Sequence, residues 1–67
     1  MKVIKLETYK YKAEMNGKSI VFYFSREMFQ GRIITYSSYV NEAGEEVRVY
    51  ASFFKDMKVI IKDMLSK

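Results

Sequence analysis

Several residue types are missing from this chain of 67 residues, and each absence excludes a class of site or a means of stabilisation. Cysteine and histidine are both absent, which excludes disulfide bonds and the usual zinc sites. The serines therefore have no histidine base beside them. Proline is absent and glycine occurs three times, so no Pro-rich or Gly-rich linker divides the chain. We expect one domain over residues 1–67, with no catalytic activity, no metal and no cofactor.

Long apolar runs are also missing. No stretch approaches the roughly 20 apolar residues that a membrane-spanning helix needs. The first residues include Lys2 and Lys5 and contain no apolar segment typical of a signal peptide. We expect a soluble cytoplasmic protein with no membrane partner and no small-molecule substrate.

What the chain does have is apolar residues and positive charge. Hydrophobic residues make up 49% and aromatic residues 16%, and the net charge is +4. So short a chain buries a modest core, and association into a homodimer would add to it. Residues 1–40 carry seven Lys or Arg against three Glu, whereas residues 41–67 carry five of each sign. This bias favours an anionic partner, nucleic acid first.

The first half of the chain alternates in the manner of strands. Apolar residues recur at every second position over residues 3–15, which predicts a strand, and a change of phase near Glu7-Thr8 predicts a bulge within it. Asn16-Gly17 then predicts a two-residue hairpin turn, because both positions of such a turn favour positive φ. A second strand is expected over residues 18–25, with apolar side chains on both faces.

The middle of the chain is less regular. Residues 26–31 fit either a wide hairpin loop or a single helical turn. A third strand is predicted over residues 32–40, followed by a polar turn that ends in Gly44-Glu45. A fourth strand is predicted over residues 46–51.

The last third of the chain predicts a helix that follows the fourth strand almost without a loop. Ser52 is a suitable N-cap. Apolar residues then recur at helical spacing from Phe53 to Leu65 and form one continuous stripe. The fold class is therefore α+β: a four-stranded antiparallel meander sheet followed by one C-terminal amphipathic helix.

The predicted sheet has one face for the helix and one face for function. Alternating tyrosines and cations on strands suit single-stranded nucleic acid, which stacks its bases on aromatic rings and places its phosphates on positive charge. Tyr and Lys are also ordinary residues of exposed strands. The candidate nucleic-acid-binding residues are Lys10, Lys12, Tyr23, Arg32, Tyr36, Arg48 and Tyr50.

Two other features have structural explanations as well as functional ones. Glu42, Glu45 and Glu46 could hold a hard cation, but three glutamates in an exposed turn are better explained as a solubilising hairpin tip. The helix stripe is wide for one small sheet. We therefore expect its surplus to form a dimer contact through Phe54, Ile61 and Leu65.

The order of elements resembles a known superfamily that binds single-stranded nucleic acids. It includes the transcriptional positive cofactor four family, the purine-rich-element-binding (PUR) repeats and the Whirly proteins. The segment from Arg32 to Glu46 is similar to the cofactor family's strand and polar Gly turn. The segment from Val47 to Leu65 is similar to that family's closing strand and helix. Lys18 to Arg32 is similar to the opening strands of a PUR repeat. The resemblance implies a curved four-stranded sheet, a dimer, and single-stranded DNA or RNA across the sheet, with transcription regulation as the setting.

The hypothesis taken from the sequence is a small non-catalytic homodimer that binds single-stranded DNA or RNA on its basic, aromatic sheet face. One alternative is a protein–protein interaction module that uses the same face. Another is a small protein that binds duplex DNA, like the small archaeal chromatin proteins, which also combine basic strands with a C-terminal helix.

Overall fold

A computed structural model describes all residues, 1–67, and contains one antiparallel sheet and one helix. The sheet has five strands in the order of the chain, so each strand pairs with the next. The α+β class, the antiparallel sheet and the C-terminal helix are as predicted, but the strand number is five and not four. The elements are β1 (Lys2–Glu7), β2 (Lys10–Met15), β3 (Lys18–Phe29), β4 (Arg32–Val40), β5 (Glu46–Arg48) and α1 (Phe54–Leu65).

The fifth strand arises because the predicted first strand is two strands. The chain reverses at Thr8-Tyr9, so that Lys5 pairs with Tyr11 and Glu7 with Lys10. Tyr9 lies in the left-handed region at φ 67°. The phase change interpreted as a bulge is therefore mainly a turn, although the pairing is also irregular between Lys5 and Glu7. A turn and a bulge shift the period-2 pattern in the same way, which explains the error.

The β2–β3 hairpin is as predicted. Asn16 and Gly17 both have positive φ, at 55° and 75°, and the flanking residues Met15 and Lys18 pair directly. The pair thus forms the tight turn that its residue types favour.

Residues 26–31 form neither a wide loop nor a helical turn. The strand β3 continues to Phe29, a two-residue turn follows at Gln30-Gly31, and Phe29 pairs with Arg32. Pairing of β2 with β3 ends at Tyr23, and that of β4 with β5 ends at Ser38. Residues 25–36 are therefore a two-stranded extension, here named the β-arm. It accounts for a long axis of 42 Å against 22 Å and 21 Å for the other two.

The strand-to-helix junction differs from the prediction at both ends. The strand β5 stops at Arg48, not at residue 51, after which the Val49 amide donates to the Ser37 carbonyl and the chain leaves the sheet. Ser52 is not the N-cap; Phe53 occupies that position in an extended conformation without a side-chain cap. Phe54 is the first helical residue, and its ring centroid lies 4.9 Å from that of Tyr11.

The core lies between α1 and the strands β2 and β3. The helix contributes Met57, Ile61 and Leu65, which are buried against Ala13, Phe22 and Ala51. Burying one such side chain stabilises the fold by about 1.5–3 kcal/mol. The predicted helix stripe is therefore the core.

The predicted dimer contact is wrong for two of its three residues. Ile61 is 0% exposed and Leu65 is 2% exposed within a single chain. Phe54 is half-buried and packs against the rings of Tyr11, Phe22 and Phe24. The strands β2 and β3, together with Ala51, already cover Ile61 and Leu65, so these two residues leave no surplus surface for a partner. The helix itself is neither long enough nor apolar enough to cross a membrane.

Candidate nucleic-acid interface

The face of the sheet turned away from α1, here named the open face, is built by the strand register. Residues directly opposite each other on antiparallel strands point to the same side. Lys10 pairs with Tyr23, Tyr23 with Ser38, and Ser38 with Arg48. These four residues therefore form one row across four strands.

The same register brings three more candidates to the open face. Lys12 follows Lys10 by two residues on β2, Tyr36 precedes Ser38 by two on β4, and Arg32 lies four residues before Tyr36. Even spacing along a strand keeps side chains on one side. Six of the seven sequence-predicted residues thus share one face: Lys10, Lys12, Tyr23, Arg32, Tyr36 and Arg48.

Tyr50 is the exception. It follows the end of β5, outside any strand, and its side chain is 93% exposed. Tyr11, which alternates with Lys10 and Lys12, points the other way and stacks on Phe22 at 5.4 Å. The tyrosines of β4 divide in the same manner, with Tyr36 on the open face and Tyr39 packed against the core.

Both tyrosines of the open face lie beside a cation. The Arg48 guanidinium carbon is 4.8 Å from the ring centroid of Tyr36, and the Lys10 ammonium is 6.0 Å from that of Tyr23. Such contacts contribute about 0.5–1 kcal/mol at exposed sites. Each pair therefore places an aromatic ring and a positive charge within reach of one nucleotide.

Glu46 also belongs to the open face, although it is not among the residues predicted from the sequence. Its Oε1 accepts hydrogen bonds from the Ser38 hydroxyl at 2.7 Å and from the Tyr36 hydroxyl at 2.8 Å. These bonds, that of Ser38 first, lower the pKa of Glu46 below its ordinary value. The sequence predicts Glu46 both as a member of the acidic cluster with Glu42 and Glu45 and as the first residue of the fourth strand. Only the register of β5 against β4 brings it beside Ser38.

The charges of the open face are mixed. Lys12 forms an ion pair with Glu14 at 3.4 Å. Glu27 accepts a 2.6 Å hydrogen bond from the Tyr9 hydroxyl, which raises the pKa of Tyr9. The ionised Glu46 lies near Arg48. The β2 end keeps a surplus of positive charge, because Lys2, Lys10 and Lys12 face Glu7 and Glu14 there. At the β5 end Glu46 balances Arg48, so phosphates are better accommodated at the β2 end.

The β-arm beside this face exposes apolar side chains on both sides. Met28 is 75% exposed, Phe29 60%, and Ile33 and Ile34 both 53%. The register places Phe29 and Ile34 on the open face, and Met28 and Ile33 on the opposite side. This surface is not evident from the sequence, because the pattern of residues 26–31 predicts a loop or a helical turn and not a strand.

Comparison with known proteins adds no family to this description. No protein-family model matches the chain, and neither does any curated protein or solved structure. The candidate interface therefore rests on the row Lys10–Tyr23–Ser38–Arg48 and its neighbours, and the resemblance drawn from the sequence stays a prediction.

Proposed function

We propose that this protein binds single-stranded DNA or RNA on its open face and has no catalytic activity. The observation that carries the proposal is the gathering of six predicted residues on the one face that the helix leaves uncovered. Two of them are tyrosines, each with a cation beside its ring. A cytoplasmic location stays a prediction.

The division of roles follows from the chemistry of each side chain. Lys10 and Lys12 meet phosphates, because they lie at the end of the row away from Glu46. Tyr23 and Tyr36 stack bases, each stack contributing about 1–3 kcal/mol. A single strand suits this arrangement better than a duplex, because only unpaired bases can turn their ring faces towards a sheet.

The homodimer is also part of the proposal, with the β-arm in place of the helix as its contact. Beyond Tyr23 and Ser38 the outer edges of β3 and β4 have no neighbouring strand. An unpaired strand edge with apolar side chains is suited to pairing with the same edge of a second copy about a two-fold axis. We expect a species of twice the 8.0 kDa chain mass. The double variant Phe29→Ser/Ile34→Ser should dissociate the dimer, whereas Val59→Ser on the helix should leave it intact. If the wild-type protein sediments as a monomer, the proposed homodimer is contradicted.

The binding test is a fluorescence-anisotropy titration with single-stranded DNA, single-stranded RNA and duplex DNA at two salt concentrations. Replacing Lys10 and Lys12 by Gln should weaken single-strand binding. It should also lower the slope of log affinity against log salt concentration by about 0.7 for each phosphate contact that is lost. The charge-matched control replaces Lys18, which lies on the helix side of the sheet through its pairing with Met15, and Lys67, which forms an ion pair with Asp63 of α1. This control should change neither quantity. Equal losses in both double variants would contradict the proposed site.

A protein-interaction module is the second candidate, favoured by the carboxylates among the cations of the open face and by the exposed β-arm. The same titration separates the candidates. If the protein binds none of the oligonucleotides at low salt, the protein-interaction module is the remaining candidate. A preference for duplex DNA would support the chromatin-like alternative.

A further inference from the structure

A second positively charged surface lies on the helix side of the sheet, away from the open face. A groove of about 630 Å³ runs between the edge strand β1 and α1. Lys5 lines it from the strand, and Lys55, Lys58 and Lys62 line it from the helix. We name it the lysine groove.

The four lysines of the groove have no counter-charge. No Asp or Glu lines the groove, and the ion pairs of the protein, Lys12 with Glu14 and Lys67 with Asp63, lie elsewhere. Lysines three and four residues apart on one helix repel each other. Lys55 also lies near the first turn, where the helix dipole favours acidic residues. Lys55 and Lys58 lie 5.8 Å and 5.7 Å from the ring centroids of Phe53 and Phe54. The groove lysines therefore have aromatic but no acidic partners, and a bound polyanion would relieve their mutual repulsion.

The arrangement suits a chain of phosphates better than a single one. Lys55, Lys58 and Lys62 follow one edge of the helix over about 10 Å, at 1.5 Å per residue. Lys5 lies on the opposite wall. Lysine ammonium groups contact phosphates as point charges and impose no paired geometry, so they tolerate a flexible backbone.

The groove offers its ligand little base recognition. Its aromatic residues, Tyr11 and Phe54, pack on each other at 4.9 Å, and both also pack on Phe22, at 5.4 Å and 6.0 Å. Because these half-buried rings pack on each other and against the core, contacts in the groove are mainly with the backbone of the ligand, which carries no sequence information.

We propose that the lysine groove binds the phosphodiester backbone of a nucleic acid as a second site that does not read bases. The inference rests on the proposed function in that both sites share one ligand. The edge strand β1 connects them, because Lys2 lies on the open face through its pairing with Glu14, whereas Lys5 lies on the groove side. A strand that crosses the open face can thus pass over β1 into the groove.

The test uses a labelled single strand of about 20 nucleotides, longer than the roughly 16 nucleotides at the upper end of small-domain sites. Lys55→Gln/Lys58→Gln should lower the slope of log affinity against log salt by about 1.4, at about 0.7 for each phosphate contact of a single strand. Lys55→Arg/Lys58→Arg should restore the wild-type slope. The charge-matched Lys18→Gln/Lys67→Gln should leave it unchanged, and circular dichroism verifies the fold of each variant.

Parallel titrations of the open-face variant Lys10→Gln/Lys12→Gln separate this inference from the proposed function. Loss of slope in both variants supports both sites. Loss only in the open-face variant overturns the groove and leaves the proposed function standing, while loss only in the groove variant supports the groove and overturns the open face. Binding to anionic phospholipid vesicles without binding to the oligonucleotide would overturn both, because the ligand would then be a membrane surface.

Discussion

The two faces of the sheet use the same strands for different purposes. On the helix side Phe22 and Ala13 are fully buried beneath Ile61 and its neighbours. On the open face the alternate residues of the same strands, such as Lys10 and Tyr23, are only half-buried and pair a cation with a ring. The comparison indicates that stability is concentrated on one side, so that the exposed residues of the other side, unlike the buried Ser38, can be changed with little effect on folding.

The largest expected effect tests the buried side. Ile61→Ala should lower the free energy of unfolding by about 2–5 kcal/mol, because it leaves a cavity at a fully buried position. Val59→Ala, on the same helix but 68% exposed, should stay within about 0.5 kcal/mol of wild type. Urea denaturation measures both, and equal losses would mean that the two sides of the helix do not differ as described.

The next effect tests the open face. Tyr36→Ala should weaken single-strand binding by about 1–3 kcal/mol through the loss of one stacked base, and the protein should remain folded. Tyr50→Ala should cost less affinity, because the ring lies outside the sheet and is 93% exposed. Anisotropy titrations of both variants measure the two losses of affinity. A larger loss for Tyr50→Ala than for Tyr36→Ala would indicate that the interface lies at the β5–α1 junction and not on the sheet.

A smaller effect concerns the charge of the open face. Glu46→Gln should raise affinity for a single strand a few-fold at low salt, because it removes a carboxylate that repels phosphate near Arg48. The gain should fade as salt is added. Unchanged affinity at low salt would place the phosphates farther from β5 than proposed.

The smallest effect is the titration of Glu46 itself. Its pKa is lowered in the folded protein, so the stability it contributes is present above the unfolded pKa and is lost as pH falls through the folded pKa. An NMR titration of the Glu46 carboxyl carbon should therefore have its midpoint below the ordinary value. Ser38→Ala should raise that midpoint, since the Ser38 hydrogen bond is the main cause, and an unmoved midpoint would contradict the assignment.

Much of this architecture could be predicted from periodicity alone. Alternation over β2, β3 and β4 predicts which residues share a face, and the stripe from Met57 to Leu65 predicts the buried side of α1. The turn at Asn16-Gly17 is predictable because its residue types favour positive φ.

The features that could not be predicted depend on contacts between distant residues. The turn at Tyr9 has no Gly or Asn; the Phe24 amide donates to its carbonyl, and its hydroxyl donates to Glu27. These partners lie 15 and 18 residues away. The lysine groove brings Lys5 of β1 close to the lysines of α1, and the local sequence pattern does not predict that these residues are neighbours. The Glu46 site likewise depends on the β4–β5 register.

The measurement that tests the central claim most directly is an amide-resolved NMR titration with a single strand of about six nucleotides, within the roughly 4–16 that small domains bind. The proposal predicts that the largest shifts fall on the row Lys10, Tyr23, Ser38 and Arg48. Shifts confined to α1 and the lysine groove, or none at low salt, would contradict binding on the open face.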